Sequence, residues 1–320
     1  MDECVYHYCS LDVFDKIISN KTLRMTDVGC MNDSGEVVHI VPTVRRILSE
    51  YFKEYSEERV TNAIDSAINH TLGPDRGNFL SLATCFSDNP DLLSQWRGYG
   101  NDGMGVSIGF DRSVLKQIAQ SYSLLDFSKV HYTQKAQESF IKKSMVRAIQ
   151  TIQNKKIDSD AALRITIQTM VDYIFQQGGV FFKRSDFSEE KESRLTLTAC
   201  SSFGGLTTLD HPILMIHDEH SVYSVVGNDF ISLTDLSYFL RSNTMVKYVD
   251  LDFSKVADKL IKKITVGPKS HVSESDIRFM LKRNGFSVFH ELYNYSNISS
   301  SLCGDNKYSV TVATSKCTYR

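Results

Sequence analysis

The sequence predicts an α+β fold: one domain over residues 1–320, with a β-sheet of mixed or antiparallel strands and helical insertions at about 37–72 and 135–177. Short apolar runs with period-two alternation recur from one end of the chain to the other. Amphipathic stretches of helical period interrupt them in blocks rather than in strict turn. No internal repeat or low-complexity linker divides the chain. At 42% hydrophobic and 11% aromatic, 320 residues can build a core of that size.

The elements follow in order. Val5–Cys9 reads as a strand, and Ser10 caps a helix whose apolar face is Leu11, Phe14, Ile17 and Ile18. Thr22–Thr26 is a second strand, since Leu23 and Met25 alternate with polar neighbours. Helices are expected over Glu36 to about Tyr55 and over Glu57–Thr71, then a turn at 72–78. Strands follow at 79–87 and 106–110, with Asp111 capping a helix over Ser113–Gln120. "KVHYT" (129–133) reads as a strand. Lys135 to Gln177 is helical, broken near Asn154–Asp158. Lys191–Thr198 is a strand, and Ser201–Thr208 is irregular. Later strands are expected at Ile213–Ile216, Val222–Val226, Val246–Leu251, Ile261–Val266 and Val310–Ala313, with a helix over Ser273–Asn284.

Composition narrows the function classes. A net charge of -2 excludes a globally basic nucleic-acid binder, though not a local basic groove. No run of eighteen apolar residues exists, so no membrane partner is expected. Asp2 and Glu3 precede no apolar h-region, which argues against a signal peptide and for a cytoplasmic protein. The seven cysteines form no Cys-x-x-Cys pair, which argues against zinc knuckles and a disulfide framework; no metal site is expected.

Several polar residues stand out, each with a bland alternative. His7 lies between Tyr6 and Tyr8, and alternation puts both tyrosines on the face opposite to it. By itself it reads as a core histidine bonded to a carbonyl. Asn32, Asp33 and Glu36 follow the second strand, where Asp33 can be a helix cap and Glu36 a partner of the helix dipole. Trp96, Arg97 and Tyr99 sit in a glycine-rich stretch that suits either a ligand loop or a hairpin plugged by Trp96. Glu190, Glu192 and Arg194 share one face of the expected strand. Two carboxylates beside an arginine can make a site, because like charges raise one pKa and the arginine lowers the other; a solvated strand face gives the same pattern.

In order, these stretches resemble a widespread, uncharacterised bacterial domain family found near mobile elements and phage-defence loci. The matching residues are Tyr6-His7-Tyr8-Cys9-Ser10, Leu23-Arg24, Asn32-Asp33-Ser34-Gly35-Glu36, Cys85-Phe86-Ser87, Trp96-Arg97-Gly98-Tyr99, and Gly105 to Phe110. Lys183 with Phe187, Glu190, Glu192 and Arg194, then Val266-Gly267-Pro268 and Thr318-Tyr319-Arg320, complete the series. Met31, Ser34, Cys85 and Thr318 depart from the family's usual phenylalanine, proline, serine and proline.

A second resemblance concerns chemistry. A histidine on the first strand, Ser/Phe/Ser on a middle strand and a glutamate on a late strand is similar to the ADP-ribosyltransferase fold of DNA-modifying toxins. That implies a split sheet, NAD as substrate, and a nucleic-acid or protein acceptor. It implies a toxin or antiviral defence effector, with an antitoxin or defence partner. In this resemblance Glu192 is the catalytic carboxylate and Glu190 its partner or substitute. His7 and Arg24 bind ribose and phosphate, Ser87 supports the pocket, and Trp96 or Tyr99 forms an aromatic wall; Tyr8, Asn32 and Arg194 complete the cofactor site. Two alternatives stand beside it. One is a metal-dependent nuclease using Asp33, Glu36, Glu190 and Glu192, with Lys183 orienting water. The other is a non-catalytic nucleotide-sensing module.

Overall fold

The computed structural model describes residues 3–31, 38–73, 79–121, 125–151, 157–201, 214–217, 221–223, 231–289 and 309–319. Its strands are β1 (Cys4–Cys9), β2 (Thr22–Asp27), β3 (Phe79–Ser87), β4 (Val106–Asp111), β5 (Leu125–Lys129), β6 (Glu192–Ser201), β7 (Leu214–His217), β8 (Ser221–Tyr223), β9 (Ser232–Leu233), β10 (Ser237–Arg241), β11 (Thr244–Asp252), β12 (Ile261–Val266) and β13 (Thr311–Thr314). Its helices are α1 (Leu11–Asn20), α2 (Val41–Tyr51), α3 (Glu57–Leu72), α4 (Leu93–Gly98), α5 (Arg112–Ser121), α6 (Gln134–Thr151), α7 (Asp160–Tyr173), α8 (Ala257–Leu260) and α9 (Glu274–Arg283). The fold is α+β, with a mixed and mostly antiparallel sheet, as the periodicities predict. Among the described strands, β6–β7 and β12–β13 pair in parallel and the others antiparallel.

The expected caps form. Ser10 Oγ accepts from Val13 N–H at 3.3 Å, and Asp111 Oδ1 accepts from Ser113 N–H at 2.8 Å. At α9, expected to begin at Ser273, that residue is instead the cap and closes a capping box with Asp276. Other boundaries move. The strand expected at 129–133 ends at Lys129, and His131 makes only an isolated bridge to Phe182. The strand expected from Lys191 starts at Glu192, because Lys191 is left-handed (φ 44°) after a 3-10 turn over Ser185–Glu190. Glu190 is therefore not a strand residue. Asn32, Asp33 and Glu36 lie outside the described residues, as does most of the irregular 201–208 stretch.

β3 is the pivot of the sheet. β6 pairs along its whole length on one edge, Phe79↔Cys200 to Ser87↔Glu192. The other edge is shared: β2 takes Ala83 and Leu82, while β1 takes Ser87. Between those pairings the ladder lapses, and two side chains stand in for it. Thr84 Oγ1 donates to the Arg24 carbonyl at 2.6 Å, and His7 Nδ1 bonds the Cys85 carbonyl at 2.9 Å. Buried main-chain oxygens need such partners wherever strands part. The sheet thus divides at Thr84–Phe86.

One face of the sheet packs α1, α5, α8 and α9 through Phe14, Leu115, Leu260 and Ile277 onto Leu82, Phe86, Ile108 and Leu195. The opposite face carries Ala83 with Val28, Val180 and Phe181, and a separate group of Tyr6, Tyr8 and Trp96. A second large core joins α2, α3, α6 and α7 around Leu48, Ile64, Ile141 and Ile167, and includes Phe182. The helical insertions therefore meet the sheet through Val180–Phe182.

Candidate functional site

Strand parity decides which predicted residues can meet. Leu195 and Leu197 of β6 face the main core, so Glu192 and Arg194 face the other way. Cys85 pairs with Arg194 and shares that face. At the mouth of β6, Glu192 is 6% exposed and Arg194 only 1%. Arg194 grips Glu192 with two bonds, Nε to Oε1 at 2.6 Å and Nη2 to Oε2 at 3.0 Å. Its Nη1 donates to the Val180 carbonyl at 2.7 Å, tying the helical insertion to the sheet.

Lys183, delivered by the chain after Val180–Phe182, joins the carboxylates. Its Nζ lies 2.5 Å from Glu190 Oε2 and 3.1 Å from Glu192 Oε2, with the Phe187 ring 4.9 Å away. The two carboxylates thus face two cations. Burial would raise the pKa of Glu192, but the Arg194 charge and hydrogen bonds and the Lys183 charge overcome it and hold it at about 2. Glu192 is ionised at any physiological pH.

Two tyrosines flank this cluster. The Tyr132 hydroxyl accepts from Glu192 N–H at 2.9 Å; burial raises its pKa, and so does the Glu192 charge. Tyr99 is 41% exposed, and burial of its hydroxyl together with the Glu190 charge pushes its pKa up to about 12. Ser87 Oγ donates to the Glu190 carbonyl at 2.7 Å, so it supports the turn that carries Glu190.

The other predicted residues fall elsewhere. His7 shares the Val5 and Cys9 face of β1, opposite to Glu192, and packs edge-on to Phe86 at 6.0 Å. Donation to a carbonyl fixes the proton on Nδ1, and burial lowers the pKa against that bond. It reaches the cluster only through Cys85, whose thiol contributes to holding Glu192 ionised. Arg24 shares the cluster's face one strand away, but its guanidinium bonds Asp250 at 2.8 and 2.9 Å and covers the Tyr248 ring at 3.6 Å. Trp96 is fully buried and donates to Asp91 at 2.7 Å, so it is a plug rather than a wall. Tyr8 donates to the Asn89 carbonyl at 2.7 Å and packs edge-on to Trp96 at 4.7 Å, pinning the 88–92 loop.

The structure therefore unites Glu190, Glu192, Arg194, Ser87 and Tyr99. It adds Lys183 to the centre of the cluster, and brings in Tyr132, Phe187 and Cys85. Lys183 and Phe187 belonged to the carboxylate motif and were findable there. Tyr132 carried no local signal inside the expected strand at 129–133, and Cys85 reads in sequence as a small core residue.

Among the described residues, no group of three or more His, Cys, Asp and Glu could hold a metal ion, and no helix is long and apolar enough to cross a membrane. No curated protein and no solved structure matches the chain. A family model described as a protein of unknown function (DUF2971) matches residues 95–195, a stretch that opens beside Trp96, closes just after Arg194, and contains Tyr99, Tyr132, Lys183 and the whole carboxylate motif.

Proposed function

We propose that the cluster at the mouth of β6 is the site of an ADP-ribosyltransferase-like enzyme that uses NAD to modify a nucleic acid or protein. One observation carries this reading: Glu192 is gripped by Arg194 and Lys183 and held ionised beside a second carboxylate, with the half-exposed Tyr99 within reach of their charges. In ADP-ribosyl transfer the bond from the ribose anomeric carbon to nicotinamide breaks, and the ring leaves with the electron pair. The ribose becomes cation-like, and a fixed anion at that carbon lowers the barrier. An acceptor oxygen or nitrogen then attacks, and its proton passes to Glu190. Tyr99 offers a face on which nicotinamide can stack. A role as a toxin or phage-defence effector, acting with an antitoxin or a defence partner, belongs to the same proposal.

The test is incubation of purified protein with labelled NAD and cell lysate, with and without EDTA. Label transfer that resists EDTA and falls by about a hundredfold or more in Glu192→Gln supports the reading. Nucleic-acid loss that requires metal, with no label transferred, would sink it.

A non-catalytic reading draws on one contact, which gives Arg194 and Glu192 a structural role. Arg194 binds both Glu192 oxygens and the Val180 carbonyl, which is how a junction between two packing units is cemented. A nucleotide-sensing module would bind NAD or a related nucleotide without turnover. The metal-dependent nuclease reading has less support, because a cation would have to displace Lys183 from Glu190 and Glu192.

A further inference from the structure

The Tyr319 motif has no part in the site as described, yet its segment is tied to it twice. Asp91 is the first tie. Its Oδ1 accepts from Ser315 Oγ at 2.5 Å and from Trp96 Nε1 at 2.7 Å, while Oδ2 accepts from Lys316 N–H at 2.7 Å. From Trp96 the contacts run to Tyr8, then Asn89, then Ser87, whose hydroxyl holds the Glu190 carbonyl.

Asp102 is the second tie. The Tyr319 hydroxyl donates to it, and Lys269 Nζ bonds it at 2.9 Å. The Tyr319 ring lies between two cations, 3.8 Å from Lys269 Nζ and 4.8 Å from the Arg97 guanidinium. Asp102 is the middle of three consecutive left-handed residues, Asn101 (φ 50°), Asp102 (φ 53°) and Gly103 (φ 84°). Side chains other than glycine rarely adopt that conformation, and it persists only where surroundings enforce it. The Tyr319 ring abuts this turn: a Cβ built on Gly103 would lie 3.3 Å from Tyr319 Cδ1. The turn begins two residues after Tyr99.

We infer that Ser315–Tyr319 is a positioning clamp for the site: by holding Asp91 and Asp102 it fixes the turn that aims Tyr99 at the Glu190–Lys183–Glu192 cluster, and so sets ligand affinity without touching the ligand. Only the ligand half of this inference rests on the NAD reading.

Two measurements on the full chain test it. In Tyr319→Ala, hydrogen exchange over residues 99–105 is expected to quicken by about tenfold while the melting temperature stays within a few degrees. Tyr319→Phe keeps the ring between its cations but loses the bond to Asp102, and should fall between. Unchanged exchange in both variants would overturn the clamp. The second measurement is calorimetric titration with NAD. Tyr319→Ala and Tyr99→Ala should each weaken binding about tenfold, and the double variant no further than Tyr99→Ala alone. Additive losses would show that the segment does not act through Tyr99, and would also overturn it. If the unaltered chain binds no NAD, the proposed function fails, and the exchange measurement decides the clamp by itself.

Discussion

Glu192 shows how a buried charge takes its character from its neighbours. Its folded pKa of about 2 lies below the ordinary 4.5, so its ionised form favours the folded state. That contribution is fully present above about pH 4.5 and is lost as pH falls through about 2. The depression corresponds to about 3 kcal/mol. Asp88 and Asp91, where burial acts upward but cation and hydrogen-bond partners win, are also held low, so the native chain should lose stability on acidification from several sources. Glu192→Gln should be less stable at pH 7, yet lose less than the native chain between about pH 5 and pH 3, as measured by urea midpoints. Equal slopes in that window would show that Glu192 is not held low. His7 is legible in the sequence in its face and in its bond to a carbonyl. Its face follows from alternation, but its use as a stand-in partner at the sheet's division depends on β2 and β1 parting on β3.

At the scale of elements, glycines separate tight packing from mere loop chemistry. A Cβ on Gly105, at the approach to β4, would sit 2.0 Å from the Cys9 carbonyl oxygen and 2.9 Å from that of Gly100. Backbone cannot yield as a flexible side chain can, so Gly105→Ala should cost about 3 kcal/mol or prevent folding. Gly98, the last residue of α4, has nothing within 4 Å of such a Cβ. Gly98→Ala should be neutral or stabilise by up to about 1 kcal/mol, since alanine favours the helix. Chemical denaturation of the two variants checks both, and similar effects would refute the assignment. The sequence marks this stretch as glycine-rich but cannot rank its glycines, because the nearest atoms that crowd Gly105 belong to Cys9 of β1.

At the scale of the molecule, the described residues form two large cores, one on the sheet and one within α2, α3, α6 and α7. The cluster of Arg194, Lys183 and Glu192 stands where they meet. Ile167 is fully buried in the helical core. Ile167→Ala should destabilise by roughly 2–4 kcal/mol. Hydrogen exchange should then rise in α2, α3, α6 and α7 ahead of β3 and β4, because packing lost in one core loosens that core first. Uniform acceleration across sheet and helices would instead show one cooperative unit.

Local physics was enough for much of this. Alternation and helical period set the class of the fold, its main elements and the faces of β1. Ser10, Asp111 and Ser273 set three helix starts through their own short side chains. Glu190, Glu192 and Arg194 stood out together in the same way, and the family resemblance added Lys183 within a dozen positions of them. What needed the tertiary structure was pairing across distance. Asp250 takes Arg24, Ser315 takes Asp91, and Tyr319 takes Asp102. Each partner lies in the chain where no periodicity connects it, and only strand order and packing bring it into hydrogen-bond range. The turn at Lys191 also needed the structure, because its left-handed backbone takes Glu190 out of the strand yet keeps its carboxylate on Lys183.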